Sequence, residues 1–157
     1  MSRSERAIAA PPEAVWAVLA EPDCYAYWVV GSRDVRAADP GFPAVGTRFH
    51  HTLAFGPFDL KDHSEVIHSE PPRFLELEVK ARPLGRGYVK LELRPVADGT
   101  HVVMLEGPLS FGARIAHNPI ADLLLHGRNA GALKRLAALA EGREPKPRTT
   151  RSLAGQA

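Results

Sequence analysis

From about residue 33 to residue 109 apolar and polar residues alternate with a period of two. From 119 to about 141 the period lengthens to that of an α-helix. The alternating region is rich in β-branched and aromatic residues and is punctuated at Pro40-Gly41, Gly56-Pro57, Pro71-Pro72, Pro83–Gly87 and Asp98-Gly99. Strands are therefore predicted at 33–38, 46–55, 59–69, 73–81, 87–95 and 100–109. A short strand at Arg6–Ala10 precedes them and ends at Pro11-Pro12. A helix then starts at Pro12-Glu13, carries Val15, Trp16, Val18 and Leu19 on one side, and stops before Pro22. A second short helix or turn holds Asp23–Val30, with Tyr25, Tyr27 and Trp28, and the long helix opens at Asn118-Pro119. Short connections between neighbouring strands imply an antiparallel meander. The expected fold is α+β: a curved antiparallel sheet of about seven strands wrapped around the C-terminal helix, with two short helices after the first strand. Any unfilled space between helix and sheet would be a pocket.

The long helix breaks its own pattern. Leu125, Ala132, Leu133, Leu136, Leu139 and Ala140 form an apolar face, and Asp122, His126 and Asn129 fall on that same face. Polar groups on a buried face need partners, from the protein, from water or from a ligand. Gly127 and Gly131, one turn apart, imply a close neighbour on another face, either the short helices, the 110–118 segment or a second copy of the chain.

Strand alternation suggests what faces the helix. If Asp98-Gly99 centres a two-residue turn, Ala97 lies opposite Thr100, Leu93 opposite Met104 and Leu91 opposite Glu106. Val89, Leu91, Leu93, Val102, Met104 and Glu106 then share the inner face, while Lys90, Glu92 and Arg94 face solvent. A three-residue loop with a bulge would instead turn Val103 and Leu105 inward and Glu106 outward; the first arrangement is favoured. The same logic turns Leu75, Leu77 and Val79 inward. It places His51 inward with Phe49 and Leu53, His50 and His63 outward, and His68 inward with Val66. The candidate ligand-lining set is Trp28, His51, Leu77, Leu91, Met104, Glu106, Asp122, Leu125, His126 and Asn129. For each polar member alone a structural role is the simpler reading; Asp122, for instance, suits the first turns of a helix. The aromatic residues of 23–30 could wall a pocket mouth or simply pack in the core, as Trp16 is expected to do.

Composition narrows the classes. The chain has 157 residues, 45% hydrophobic and 24% charged, which suits one globular domain. A net charge of +2 gives no argument for nucleic acid. The single cysteine, Cys24, excludes an internal disulfide framework and reads as a small apolar filler. The seven histidines show no metal-binding spacing, so neither metal nor other cofactor is expected. No apolar run reaches membrane-spanning length and the first residues lack a signal-peptide core, so the expected location is the cytoplasm, without stable membrane insertion. Residues 143–157, rich in Arg, Lys, Pro, Thr and Ser, are expected to form a disordered basic tail.

The segment Ile8–Asp23 (IAAPPEAVWAVLAEPD) followed by Tyr27-Trp28 resembles the opening of START-like helix-grip proteins, the SRPBCC superfamily. More narrowly it resembles the bacterial polyketide cyclase/dehydrase and lipid transport family. Gly46-Thr47, Glu65-Val66 before Pro71-Pro72-Arg73, Asp98-Gly99-Thr100 and the terminal run Leu133–Leu136 extend the resemblance over about residues 6–141. It implies a helix-grip domain over 1–142 that binds a small hydrophobic molecule, a lipid or a polyketide-like aromatic. As alternatives behind that reading it admits a cyclase or dehydratase in which His51 or His126 works with Glu106 as a proton-transfer pair, or an interaction module with a filled cavity. A homodimer is compatible with it.

Overall fold

The computed structural model describes residues 2–55, 57–81, 85–110 and 119–147; in the last segment side chains are described from residue 128 onward. Strand β1 (Ser2–Ile8) leads into α1 (Pro12–Leu19), a 3₁₀ turn (Pro22–Cys24) and α2 (Tyr25–Trp28). Six strands follow: β2 (Ser32–Ala38), β3 (Arg48–Phe55), β4 (Phe58–Glu70), β5 (Phe74–Ala81), β6 (Gly85–Val96) and β7 (Gly99–Ser110). The chain then forms α3 (Pro119–Ala140). The strands make one seven-stranded antiparallel sheet in the order β1-β7-β6-β5-β4-β3-β2, so the meander runs across the sheet and β1 closes onto the last strand. This is the helix-grip architecture that the resemblance implies.

One face of the sheet is covered by helices. Leu75, Leu77, Leu91, Leu93, Val102 and Met104 are buried there in one cluster with Leu133, Leu136, Ala137 and Leu139 of α3 and with Val15, Val18 and Leu19 of α1. Burying an aliphatic side chain of this size stabilises by roughly 1.5–3 kcal/mol, so the central strands and the second half of α3 hold each other. Trp16 departs from the sequence reading: it packs on the core from the rim and stays half-buried, because α1 is only two turns long and buries its Val15/Val18/Leu19 side. Tyr25 is fully buried, and its hydroxyl donates to the Leu19 carbonyl at 2.8 Å, which ties α2 to the end of α1. Cys24 is buried, and desolvation pushes its thiol up to about 11, as expected of an inert filler.

The β6–β7 hairpin keeps the predicted faces but not the predicted register. Val96 pairs with Gly99, Leu93 with Val102, Leu91 with Met104 and Val89 with Glu106. The loop is thus Ala97-Asp98, and Gly99 opens β7 with φ +149°. A Cβ on Gly99 would run into the Ile8 carbonyl oxygen, so glycine is needed there for the close approach of β1 rather than for the turn itself. Relative to the predicted pairing the shift is even, so every side chain stays on its expected face. In β4 a bulge between Val66 and His68 breaks the alternation. His68 therefore pairs opposite Glu76 and is exposed, contrary to the inward orientation expected from Val66.

Candidate functional site

The inner face is apolar in its middle and polar on both flanks. Its centre is built by Val66, Leu75, Leu77, Leu91 and Met104, each at most 3% exposed. On one flank, β3 and β4 contribute His51 and Asp62, direct cross-strand partners, with Ser64 opposite Phe49. All three polar side chains are buried. On the other flank, Glu106 on β7 stands opposite Ser2 on β1.

The His51 flank joins an aromatic wall. Trp28 packs against Tyr25 at 5.0 Å between ring centroids, Tyr25 against Phe49 at 4.7 Å, and Phe49 against His51 at 5.7 Å. Neither His51 nitrogen has a hydrogen-bond partner among the described residues, nor does Trp28 Nε1. Burial drives the His51 imidazole down to about 4. The His63 peptide and the Asp62 carboxylate act in the opposite sense without outweighing it, and neither supplies a hydrogen bond of full geometry. Arg36 donates to the His51 and Asp62 carbonyl oxygens at 3.1 and 3.2 Å, and its charge further disfavours the imidazolium. His51 is thus a neutral imidazole at physiological pH.

The Glu106 flank is satisfied from within. Arg128 of α3 donates to Glu106 at 3.2 Å, and Asn129 makes a long contact of 3.4 Å to Ser2 Oγ. Burial raises the Glu106 carboxyl above its ordinary range, while Arg128 and the Asn129 amide favour its ionised form. Asn129 is buried and engaged with β1 and β7.

The structure thus brings Trp28, Leu77, Leu91 and Met104 into the buried core, with His51 beside that core and Glu106 and Asn129 together at its far flank. The side chains of Asp122, Leu125 and His126 lie outside the described residues. It does not unite His51 with Glu106. Strands β4, β5 and β6 separate them, about 19 Å along the sheet at the usual strand spacing, so His51 is not a direct proton-transfer partner of Glu106; the alternative partner, His126, has its side chain outside the described residues. Sequence reasoning misses Asp62, Ser64 and Arg128. The first two were within reach, since alternation counted back from Val66 places Ser64 and Asp62 on the same face; Arg128 reads as an ordinary surface residue. Two shallow grooves, of about 330 and 510 Å³, open to solvent beside the Ala97-Asp98 loop and across β4–β6, and neither is bounded by α3. Among the described residues no cluster of three or more His, Cys, Asp or Glu is arranged to hold a metal ion, and no helix is long and apolar enough to cross a membrane.

The family model for polyketide cyclase / dehydrase and lipid transport matches residues 2–141. The chain belongs to this family. Among solved structures, a Rhodobacter sphaeroides protein is similar at 24% identity and TM-score 0.68, over 91% of this chain and 94% of its own. A Thermus thermophilus protein is similar at 16% identity and TM-score 0.69, over 92% and 99%. The di-domain ARO/CYC protein StfQ from the steffimycin biosynthetic pathway is similar at 12% identity and TM-score 0.69, over 90% of this chain and 50% of its own. At these identities the likeness is one of fold. No curated protein matches. Membership of the polyketide cyclase / dehydrase and lipid transport family suggests small-molecule binding.

Proposed function

We propose that this protein binds a small hydrophobic molecule, a lipid or a polyketide-like aromatic, between the inner face of the sheet and α3. The observation that carries this reading is the buried His51 side chain: it is 2% exposed, stands beside an apolar sheet centre, and has no hydrogen-bond partner on either nitrogen among the described residues. Leaving a buried polar group unpaired costs roughly 1–3 kcal/mol, and a guest with a matching polar end would recover it. Apolar burial would supply the affinity and the polar flanks the orientation, the usual division of labour in such sites. Solvent extraction of the purified protein followed by mass spectrometry tests this directly. A co-purifying apolar compound, or a rise in melting temperature with lipids or fused-ring aromatics, is the expected result. A clean extract together with an unmoved melting temperature across both ligand classes would sink it.

One observation favours a catalytic variant of the same reading. Glu106 is a largely buried carboxyl that burial raises above its ordinary range, the direction that favours a general acid. A cyclase or dehydratase using Glu106 predicts that Glu106→Gln loses turnover while retaining fold and ligand affinity. Turnover surviving in that variant would remove Glu106 from any mechanism.

A further inference from the structure

We propose that His50 and His63, paired across β3 and β4 on the face of the sheet away from α3, form a two-histidine site for a divalent transition-metal ion of the zinc or copper type. The two residues stand directly opposite each other, and their ring centroids are 5.6 Å apart. Two imidazoles on one zinc ion, each bonded at about 2.1 Å with tetrahedral spread, have ring centres about 5 Å apart. The rings therefore need only a small rotation to share an ion. Both sit on neighbouring strands, so their spacing is held by the sheet rather than by a loop. The sequence shows no metal-binding spacing for this pair because its two members lie on different strands.

The donor chemistry at His63 suits a metal. Its side chain is 13% exposed, and its Nε2 is buried with no hydrogen-bond partner among the described residues. Its Nδ1 lies 3.5 Å from Asp62 Oδ1, the oxygen that also accepts the His63 peptide N–H at 3.0 Å. A carboxylate there favours the tautomer with its proton on Nδ1, which leaves the lone pair on Nε2. A carboxylate behind the far nitrogen is the usual support of a metal-bound imidazole. The next residue on that face of β3 is Thr52, 4% exposed, whose hydroxyl is likewise buried and without a partner among the described residues. Thr52 sits diagonally across from His63, where a water on the ion could donate to its oxygen. Nearby charges limit the affinity. Lys80 and Arg48 act on His63 from β5 and β3 and would repel a cation, although Arg48 is paired with Glu65 at 3.3 Å. They equally disfavour a proton on His63, and proton and metal compete for the same nitrogen. Imidazole donors select zinc, copper or nickel over magnesium or calcium.

Zinc chloride titrated at neutral pH into the untagged, isotope-labelled full chain tests the site, read from the imidazole nitrogen signals. Zinc should shift the Nε2 signal of His63 and one ring nitrogen of His50, and should leave the rings of His68 and His101 in place. His50→Ala and His63→Ala should each weaken zinc binding by at least about tenfold, since even the outer-shell partners of a metal are worth that much. His50 and His63 signals that stay in place under a large excess of zinc overturn the site. Zinc that perturbs His68 or His101 first does the same, as does affinity that survives either substitution in a folded variant. Inorganic phosphate shifting the two rings where zinc does not would make this an anion site and overturn the metal assignment. The ring signals are read on the unmutated chain, so the outcome does not depend on whether the variants fold. The pair faces away from the ligand site proposed above, so no outcome bears on that reading.

Discussion

His51 shows how a single buried residue can lower stability. Free histidine titrates near 6.5, whereas in the fold burial brings His51 down to about 4. Between those values the unfolded chain holds a proton that the folded chain has shed. Stability is therefore full above about pH 6.5 and falls as the pH drops toward 4, by on the order of 3 kcal/mol in all. His51→Phe removes both the titration and the two unpaired nitrogens, and its ring would meet Phe49 as the imidazole does. The variant should be at least as stable as the parent at neutral pH and should lose the decline between pH 6.5 and 4 attributable to this residue. Thermal melts across that range check it; an undiminished acid slope would show that the proton is taken up elsewhere. A replacement that stabilises the free protein while weakening ligand affinity would mark the position as one held for function. Much of this was legible in the sequence. Phe49 and Leu53 set the parity that turns His51 inward, but the missing hydrogen bonds depend on what the other strands bring near the ring, which no local pattern states.

At the scale of elements, period and punctuation place every strand and helix, and the misreadings fall where one backbone meets another. Strand β1 starts earlier than expected because Ser2 and Ser4, polar and without strand signature, are held opposite Glu106 and Met104 by β7. The Asp98-Gly99 pair looks like a turn centre, yet Gly99 answers to the Ile8 carbonyl on another strand. The bulge that carries His68 outward inserts Ile67, itself 45% exposed, and leaves no mark in the alternation before it. Helix α3 offers a check of the same kind. Gly131 lies inside it, and a Cβ there would meet only a Val30 methyl at 3.7 Å, an ordinary contact. The neighbour implied by this glycine is thus the end of the short-helix segment, and it leaves room for a methyl group. Gly131→Ala should stabilise by about 1 kcal/mol through helix propensity alone, raising the melting temperature by roughly 2–4 °C for a chain of this size. A fall would mean that Val30 cannot share the space.

The whole molecule is a sheet whose two polar flanks respond to pH in opposite directions. At the β1–β7–α3 junction, Glu106 is raised by burial, and Arg128 and Asn129 offset that only in part. Just above the ordinary carboxylate range the folded chain keeps a proton that the unfolded chain has lost. The contribution of Glu106 is therefore full at acid pH and declines as the pH rises through its folded value, opposite in sign to that of His51. Three strands separate the two groups, so their effects should be nearly additive. Glu106→Gln should match the parent below the carboxylate range and gain on it progressively toward neutrality, at the modest cost of a half-exposed Arg128 without its ion-pair partner. Arg128→Ala, by withdrawing the compensating charge, should steepen the neutral-pH penalty of the parent. In the double variant Arg128→Ala/Glu106→Gln that added penalty should vanish. Urea midpoints of the four proteins across the acid-to-neutral range decide the matter. If Glu106→Gln instead lost stability toward neutrality, the ion pair would outweigh burial, and Glu106 would be a fixed anion anchoring α3 to the sheet rather than a carboxyl poised to exchange a proton.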